Sequence, residues 1–256
     1  MAMFSIEYLN VLRATEVATI APILPPGARV LEIGAGTGLQ ALELQRRGFD
    51  VAAIEVADSS YAIARVFPVI DYDGIRIPFG PKTFDVVFSS NALEHVHDLE
   101  RLHAEIWRVL KPGGIAVHVL PTHAWRFWSI PSSYCNALIS VGSAVRRSMP
   151  HSGDPRTFGR AWYEAARACG AAVLQPRHGE RGIGFAELWL FRPQWWRRNF
   201  AANGFAVLYD KPMGLFYTGS MVFGARLSLE RRARLAQLLG SSCQVYVMRP
   251  VETPRS

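Results

Sequence analysis

The chain has 256 residues, half of them hydrophobic and 19% charged, which excludes a disordered or fibrous polypeptide and suffices for the core of one large domain. Its net charge of +7 comes mostly from arginine, with lysine only at Lys82, Lys111 and Lys211. A basic surface favours anionic partners, but neither a basic helix nor an aromatic RNA-binding motif accompanies it, so nucleic acid is not expected. Cys135, Cys169 and Cys243 are far apart and form no C-x-x-C pair, which argues against a disulfide framework or cysteine zinc site and points to a reducing cytoplasm.

The first twenty residues lack the basic start and cleavage site of a secretory signal, and Glu7 and Glu16 interrupt them. Ile6, Leu9, Leu12 and Val17 recur at near-helical spacing, so a helix is expected over 5–20, stopped by ILPPG at 23–27. Val30, Leu31 and Ile33 predict a first strand, Thr37 to Arg47 an amphipathic helix ended by Gly48, and Val51 to Val56 a second strand. A helix from Ser59 to Val66, a short strand near Val69 and a turn at YDG, 72–74, follow. FDVVFSS at 84–90 reads as a buried strand. Leu99, Leu102, Ile106, Val109 and Leu110 share one helix face that PGG at 112–114 terminates, and IAVHVL at 115–120 is the next strand. This alternation predicts a parallel sheet with helices on both faces.

From Pro121 to about Phe185 the rhythm fails, and an inserted lid or substrate-binding region is expected. Its most apolar stretch, 127–145, is broken by Pro131 and several serines, so no membrane span is predicted. Pro193 opens a helix that Gly204 ends. A strand at 205–208, a helix near 229–239 and a strand at 244–248 close the chain. The expected organisation is one domain: a helical segment at 1–27, a ligand-binding half at 28–120, the insertion at 121–190 and a closing helix and hairpin at 191–256.

Three glycines on alternate positions, Gly34, Gly36 and Gly38, follow the first strand in VLEIGAGTG. A dinucleotide fingerprint would need a glycine where Leu39 stands, and no Gly-Lys-Ser/Thr follows to make a P-loop. Glu55 ends the second strand, where a carboxylate can accept both hydroxyls of an adenosine ribose. Glu32, beside the loop, adds negative charge that suits a cationic ligand better than a pyrophosphate. S-adenosylmethionine, with its sulfonium and ammonium groups, meets that description.

VLEIGAGTG, VAAIEV, DGIRIPFGPKTFDVVFSSNALEHV and EIWRVLKPGG together resemble the class I S-adenosylmethionine-dependent methyltransferases, in their small-molecule, methyltransferase type 11-like branch. The resemblance covers about a third of the chain and is far more specific than one glycine loop. It implies a Rossmann-like, doubly wound α/β fold with a seven-stranded sheet in the order 3-2-1-4-5-7-6, the last strand antiparallel. By the same resemblance Gly34, Ala35 and Gly36 approach the methionine part of the cofactor, Glu55 holds the ribose and Val56 packs on the adenine. Asp73 would bind the adenine amino group with Gly74 beside it, and Ser90 and Asn91 line the methionyl group. Glu55 stands where the family often has Asp, and either carboxylate serves.

Methyl transfer from a sulfonium is a direct displacement, for which the resemblance suggests a small-molecule or glycan-like acceptor and a hydroxyl nucleophile. A hydroxyl is helped by a base, and His95, His123 and His178 are the candidates. His118, within a strand, is expected to be a buried, hydrogen-bonded core residue. Glu94, His95, His97, Asp98 and His103 crowd ten residues but match no familiar zinc spacing, so no metal is expected. In HAWRFWSIP, Trp125, Phe127, Trp128 and Arg126 form either an aromatic wall with an anion-binding guanidinium or a packed lid. Arg146, Arg147, Arg156 and Arg160 are read as a solvated basic face, with acceptor phosphate or peripheral membrane contact as alternatives. A methyltransferase-like scaffold that binds cofactor without turnover is the rival to an enzyme.

Overall fold

The computed structural model describes residues 6–148 and 155–251. Its centre is a seven-stranded sheet of β1 (Arg29–Ile33), β2 (Asp50–Val56), β3 (Ile70–Tyr72), β4 (Phe84–Ser90), β5 (Leu110–Pro121), β6 (Phe205–Pro212) and β7 (Cys243–Pro250). The order is β3-β2-β1-β4-β5-β7-β6. β1 to β5 pair in parallel, and β7 runs antiparallel to both β5 and β6. This is the doubly wound arrangement the sequence predicts.

Period-two alternation divides each central strand between two cores. Val30, Val86, Phe88, Val117, Val119 and Val245 face one core, shared with Leu12, Val17 and Ile20 of α1 (Ile6–Ile20) and Leu44 of α2 (Leu39–Gln45). Leu31, Val87, Ala116 and Tyr246 face the other, packed on Leu102 and Ile106 of α3 (Leu99–Val109). Because both faces are covered, β4 is buried at six of its seven positions, and its sequence reads as a continuous apolar run.

The local differences have physical causes. The segment expected as a helix at 59–66 contains only a 3-10 turn at Ala62–Ala64. PGG at 112–114 does not end a helix but sits inside β5, where the partner of Phe84 is Leu110 and that of Val86 is Ile115, so it forms an irregularity in the ladder. The insertion is not irregular: it is a hairpin of long helices, α4 (His123–Arg147) and α5 (Pro155–Leu174). Pro131 lies inside α4 and removes one intrahelical donor. The hydroxyls of Ser129, Ser132 and Ser133 bond back to carbonyls three or four residues earlier within the same turns. Ala144, Ala161 and Ala165 form a small-residue seam between the two helices. A short α6 (Glu187–Leu190), α7 (Pro193–Ala202) and α8 (Leu229–Leu239) complete the fold. Among the described residues no helix is long and apolar enough to cross a membrane.

Candidate active site

The chain turns sharply after β1 because the amides of Gly34 and Ala35 both donate to Ile54 O, at 3.0 and 3.1 Å. At Gly34 (φ +73°) a Cβ would lie 2.5 Å from Ala92 Cβ, and at Gly38 (φ +75°) 2.7 Å from Phe67 Cβ. Only glycine satisfies both the left-handed backbone and the close approach. The Glu55 carboxylate then spans the turn: Oε2 accepts the Gly36 amide at 2.7 Å and Oε1 the Val56 amide at 2.9 Å.

The turn opens on a cavity of about 630 Å³ at the carboxyl ends of β1, β2 and β4, where ligands of open α/β sheets bind. Gly34, Ala35, Gly36, Glu55, Val56, Ser90, Asn91, His95 and His178 all line it. Four other expected site residues do not. Glu32 is buried under the loop, and burial pushes its carboxyl up to about 8 although it accepts the Ala41 amide. Asp73 Oδ1 accepts the amides of Ile75 and Arg76, each at 2.8 Å, which holds its carboxyl below the usual range. Gly74 approaches the cavity only through Val56, whose Cγ1 would lie 3.3 Å from a Cβ at Gly74. His123 opens α4 as an exposed residue outside the cavity, with its ring lowered by partial burial and by Arg192.

The sequence reading missed the polar end of the cavity, built from α1. Arg13 donates to Glu16 Oε2 at 2.8 Å and to Ser90 Oγ at 3.0 Å. Glu16 also accepts from Ser90 Oγ at 3.0 Å, Gln40 at 3.3 Å and the Tyr217 hydroxyl at 3.2 Å. Burial pulls the Arg13 guanidinium down, but Glu16, Tyr217 and Cys243 together outweigh it and leave the group above its ordinary value. A signal did exist: Glu16 falls four residues after Leu12, on the face whose other members, Val17 and Ile20, are core. A carboxylate there requires buried partners.

Also on the cavity wall, His95 and His178 approach with ring centroids 4.8 Å apart. The Trp125 indole lies 4.6 Å from the His178 ring. Behind them Glu94 is fully buried, with Oε1 3.9 Å from His95 Nε2 and 3.8 Å from His178 Nε2. Burial lowers the His95 imidazole, opposed by Glu94. The rest of the acidic and histidine cluster disperses: Asp98 caps α3 on the Arg101 amide at 2.9 Å, and His103 is buried against Leu99 O. His118 is a core residue as expected, bonded to Ser89 Oγ at 2.7 Å, with burial pulling its ring down to about 3.

Of the two readings for Arg126, the packed lid holds. Its guanidinium donates to Gly184 O, Pro176 O and Gln175 O and lies 3.3 Å from Glu187, so it ties α4 to the returning segment. Trp128 likewise donates to Leu239 O at 3.0 Å. Arg146 and Arg147 end α4, and Arg160 pairs with Glu164 at 3.0 Å. The side chain of Arg156 lies outside the described residues.

Residues 31–118 match the family described as Methyltransferase domain. Over 93 residues the chain is 36% identical to a demethylmenaquinone methyltransferase of Corynebacterium efficiens, covering 36% of this chain and 40% of that protein. Over 105 residues it is 35% identical to a sterol 24-C-methyltransferase of Schizosaccharomyces pombe, covering 36% and 27%. The chain thus spans less than half the length of these two relatives. An S-adenosylmethionine-dependent methyltransferase from Mesorhizobium loti superimposes with a TM-score of 0.53 at 16% identity, over 92% of this chain and 97% of that one. The sheet order, the glycine turn and the matched segment are similar to those of class I S-adenosylmethionine-dependent methyltransferases.

Proposed function

We propose that the protein transfers a methyl group from S-adenosylmethionine to the hydroxyl of a small, largely apolar molecule. The observation that carries this is the Glu55 carboxylate, fixed across the Gly36 and Val56 amides at the floor of a cavity with a cationic end and an imidazole end. Glu55 would take the ribose hydroxyls, and the glycine turn lets the methionine portion approach the backbone. Val56 would pack on the adenine. Ser90 and Asn91 line the methionyl segment, and Arg13 is placed to receive its carboxylate. Bound there, S-adenosylmethionine supplies a methyl group already activated by its sulfonium.

The protein's main task is therefore alignment, which can contribute roughly 7–11 kcal/mol, against some 3–5 kcal/mol from a positioned base. The acceptor end is the face of His95 and His178, beside which the hydroxyl proton leaves. Trp125, Tyr61 and Met221 give the cavity apolar walls, which suits ring-bearing acceptors of the kind named in the two relatives.

Calorimetric titration with S-adenosylmethionine and its demethylated product tests the reading. We expect binding that Glu55→Ala weakens by about tenfold or more. The absence of both heat and a thermal shift in the wild type would sink it.

A further inference from the structure

Glu94, His95 and His178 are unlike the rest of the cavity wall. Among the described residues neither Glu94 carboxylate oxygen has a hydrogen-bond partner, although the side chain is fully buried. A carboxylate left in that state is costly unless something charged completes it. Its Oε1 faces both imidazoles at 3.8 and 3.9 Å, too far for a hydrogen bond. All three ligand atoms lie within 4.8 Å of one another.

The fold brings the two segments together deliberately close. The Glu180 amide donates to Glu94 O at 2.9 Å. A Cβ at position 179 would sit 2.8 Å from the same oxygen. Gly179 therefore lets the returning chain lie against Glu94, and its neighbour His178 lands beside His95.

We propose that Glu94, His95 and His178 bind one divalent transition-metal ion at the acceptor end of the cavity. Two imidazoles and one carboxylate are a common ligand set for zinc, and imidazole donors also suit iron, nickel and copper. Three protein ligands leave a further position open, and His95 and His178 both line the cavity. In a tetrahedral zinc site the ligand atoms lie about 3.3 Å apart. The present spacing closes to that by rotating two rings whose side chains are 42% and 35% exposed, while Glu94 stays fixed.

This inference rests on the methyl-transfer reading for its role. The ion would lower the pKa of the acceptor hydroxyl. The O–H proton then passes to water as the oxygen–methyl bond forms, and the electron pair of the breaking carbon–sulfur bond returns to sulfur.

The test is titration of the chelator-stripped full chain with ZnCl2 by calorimetry and with CoCl2 by visible absorption, beside titration with demethylated cofactor. A Cys135→Ser/Cys169→Ser background removes the two exposed thiols. The expected result is one ion per chain with Kd below about 1 µM. Glu94→Gln and His178→Ala should each weaken it by about 30-fold or more, with the fold retained and cofactor affinity nearly unchanged. Zn2+ should also raise the melting temperature of the wild type but not of the variants. Zinc binding weaker than about 100 µM, binding indifferent to both variants, or binding lost with the thiols overturns the site. Cofactor binding without metal binding refutes this inference alone, whereas metal binding without cofactor binding refutes the methyl-transfer reading.

Discussion

The Arg13 guanidinium donates to the Ser90 hydroxyl at 3.0 Å across a sequence separation of 77 residues, and both groups bond to Glu16. This contact ties α1 to the end of β4 and sets a cation where the proposed binding mode puts the methionine carboxylate. Arg13→Met should lower cofactor affinity by about tenfold or more, and leave Glu16, 1% exposed, without its cation. Calorimetry should show the loss, and a denaturant midpoint should fall with it. Unchanged affinity in a folded variant would remove Arg13 from the cofactor site.

Glu32 makes stability depend on pH in a calculable direction. Its carboxyl is held up at about 8 in the folded protein against 4.5 for the free group, so the unfolded chain ionises first. The folded state is fully favoured below pH 4.5 and loses stability as pH rises to about 8, at about 1.4 kcal/mol per pH unit. Glu32→Gln, neutral throughout, should melt several degrees above wild type at pH 8 and close to it at pH 4.5. A melting difference that does not vary with pH would disprove this.

Gly38 separates two costs of a side chain. Gly38→Ala combines φ +75° with a Cβ 2.7 Å from Phe67 Cβ, whereas Gly48→Ala meets only its own φ of +89° with nothing within 4 Å. Backbone strain alone should cost Gly48→Ala on the order of 1–2 kcal/mol. Gly38→Ala should cost more and weaken cofactor binding as well. Denaturant unfolding of the pair checks this, and equal losses would count against the close packing.

Arg126 holds the helical insertion in place. Arg126→Met leaves Glu187, fully buried, without its cation and strips donors from Gln175, Pro176 and Gly184 carbonyls. The expected loss is about 3–5 kcal/mol, partly recovered in Arg126→Met/Glu187→Gln. Hydrogen exchange should show the segment from 175 to 187 opening first. A double variant no more stable than the single one would refute the pairing.

The sheet was legible in the residues because its cause is local and repetitive. The short apolar runs of β1 and β4 and the glycines at 34, 36 and 38 constrain backbone and burial without reference to distant parts of the chain. Glu55 was legible for the same reason, since a strand tip carries a fixed position in this topology. The helix α4 was not, because Pro131 interrupts the local pattern and what retains the helix is packing by Ala144, Arg126 and Trp128 against partners remote in sequence. Asp73 shows the opposite case: a good turn residue by sequence, it spends its carboxylate on its own turn.

By itself, then, the sequence determined where the strands fall, the glycine turn and the acid facing it, since these follow from residue type and near-neighbour spacing. Tertiary structure alone decided which polar groups meet: Arg13 and Glu16 with Ser90 and Tyr217, and Glu94 and His95 with His178. Side chains tens to hundreds of positions apart share a site only after the helices have packed on the sheet, and no spacing along the chain encodes that distance.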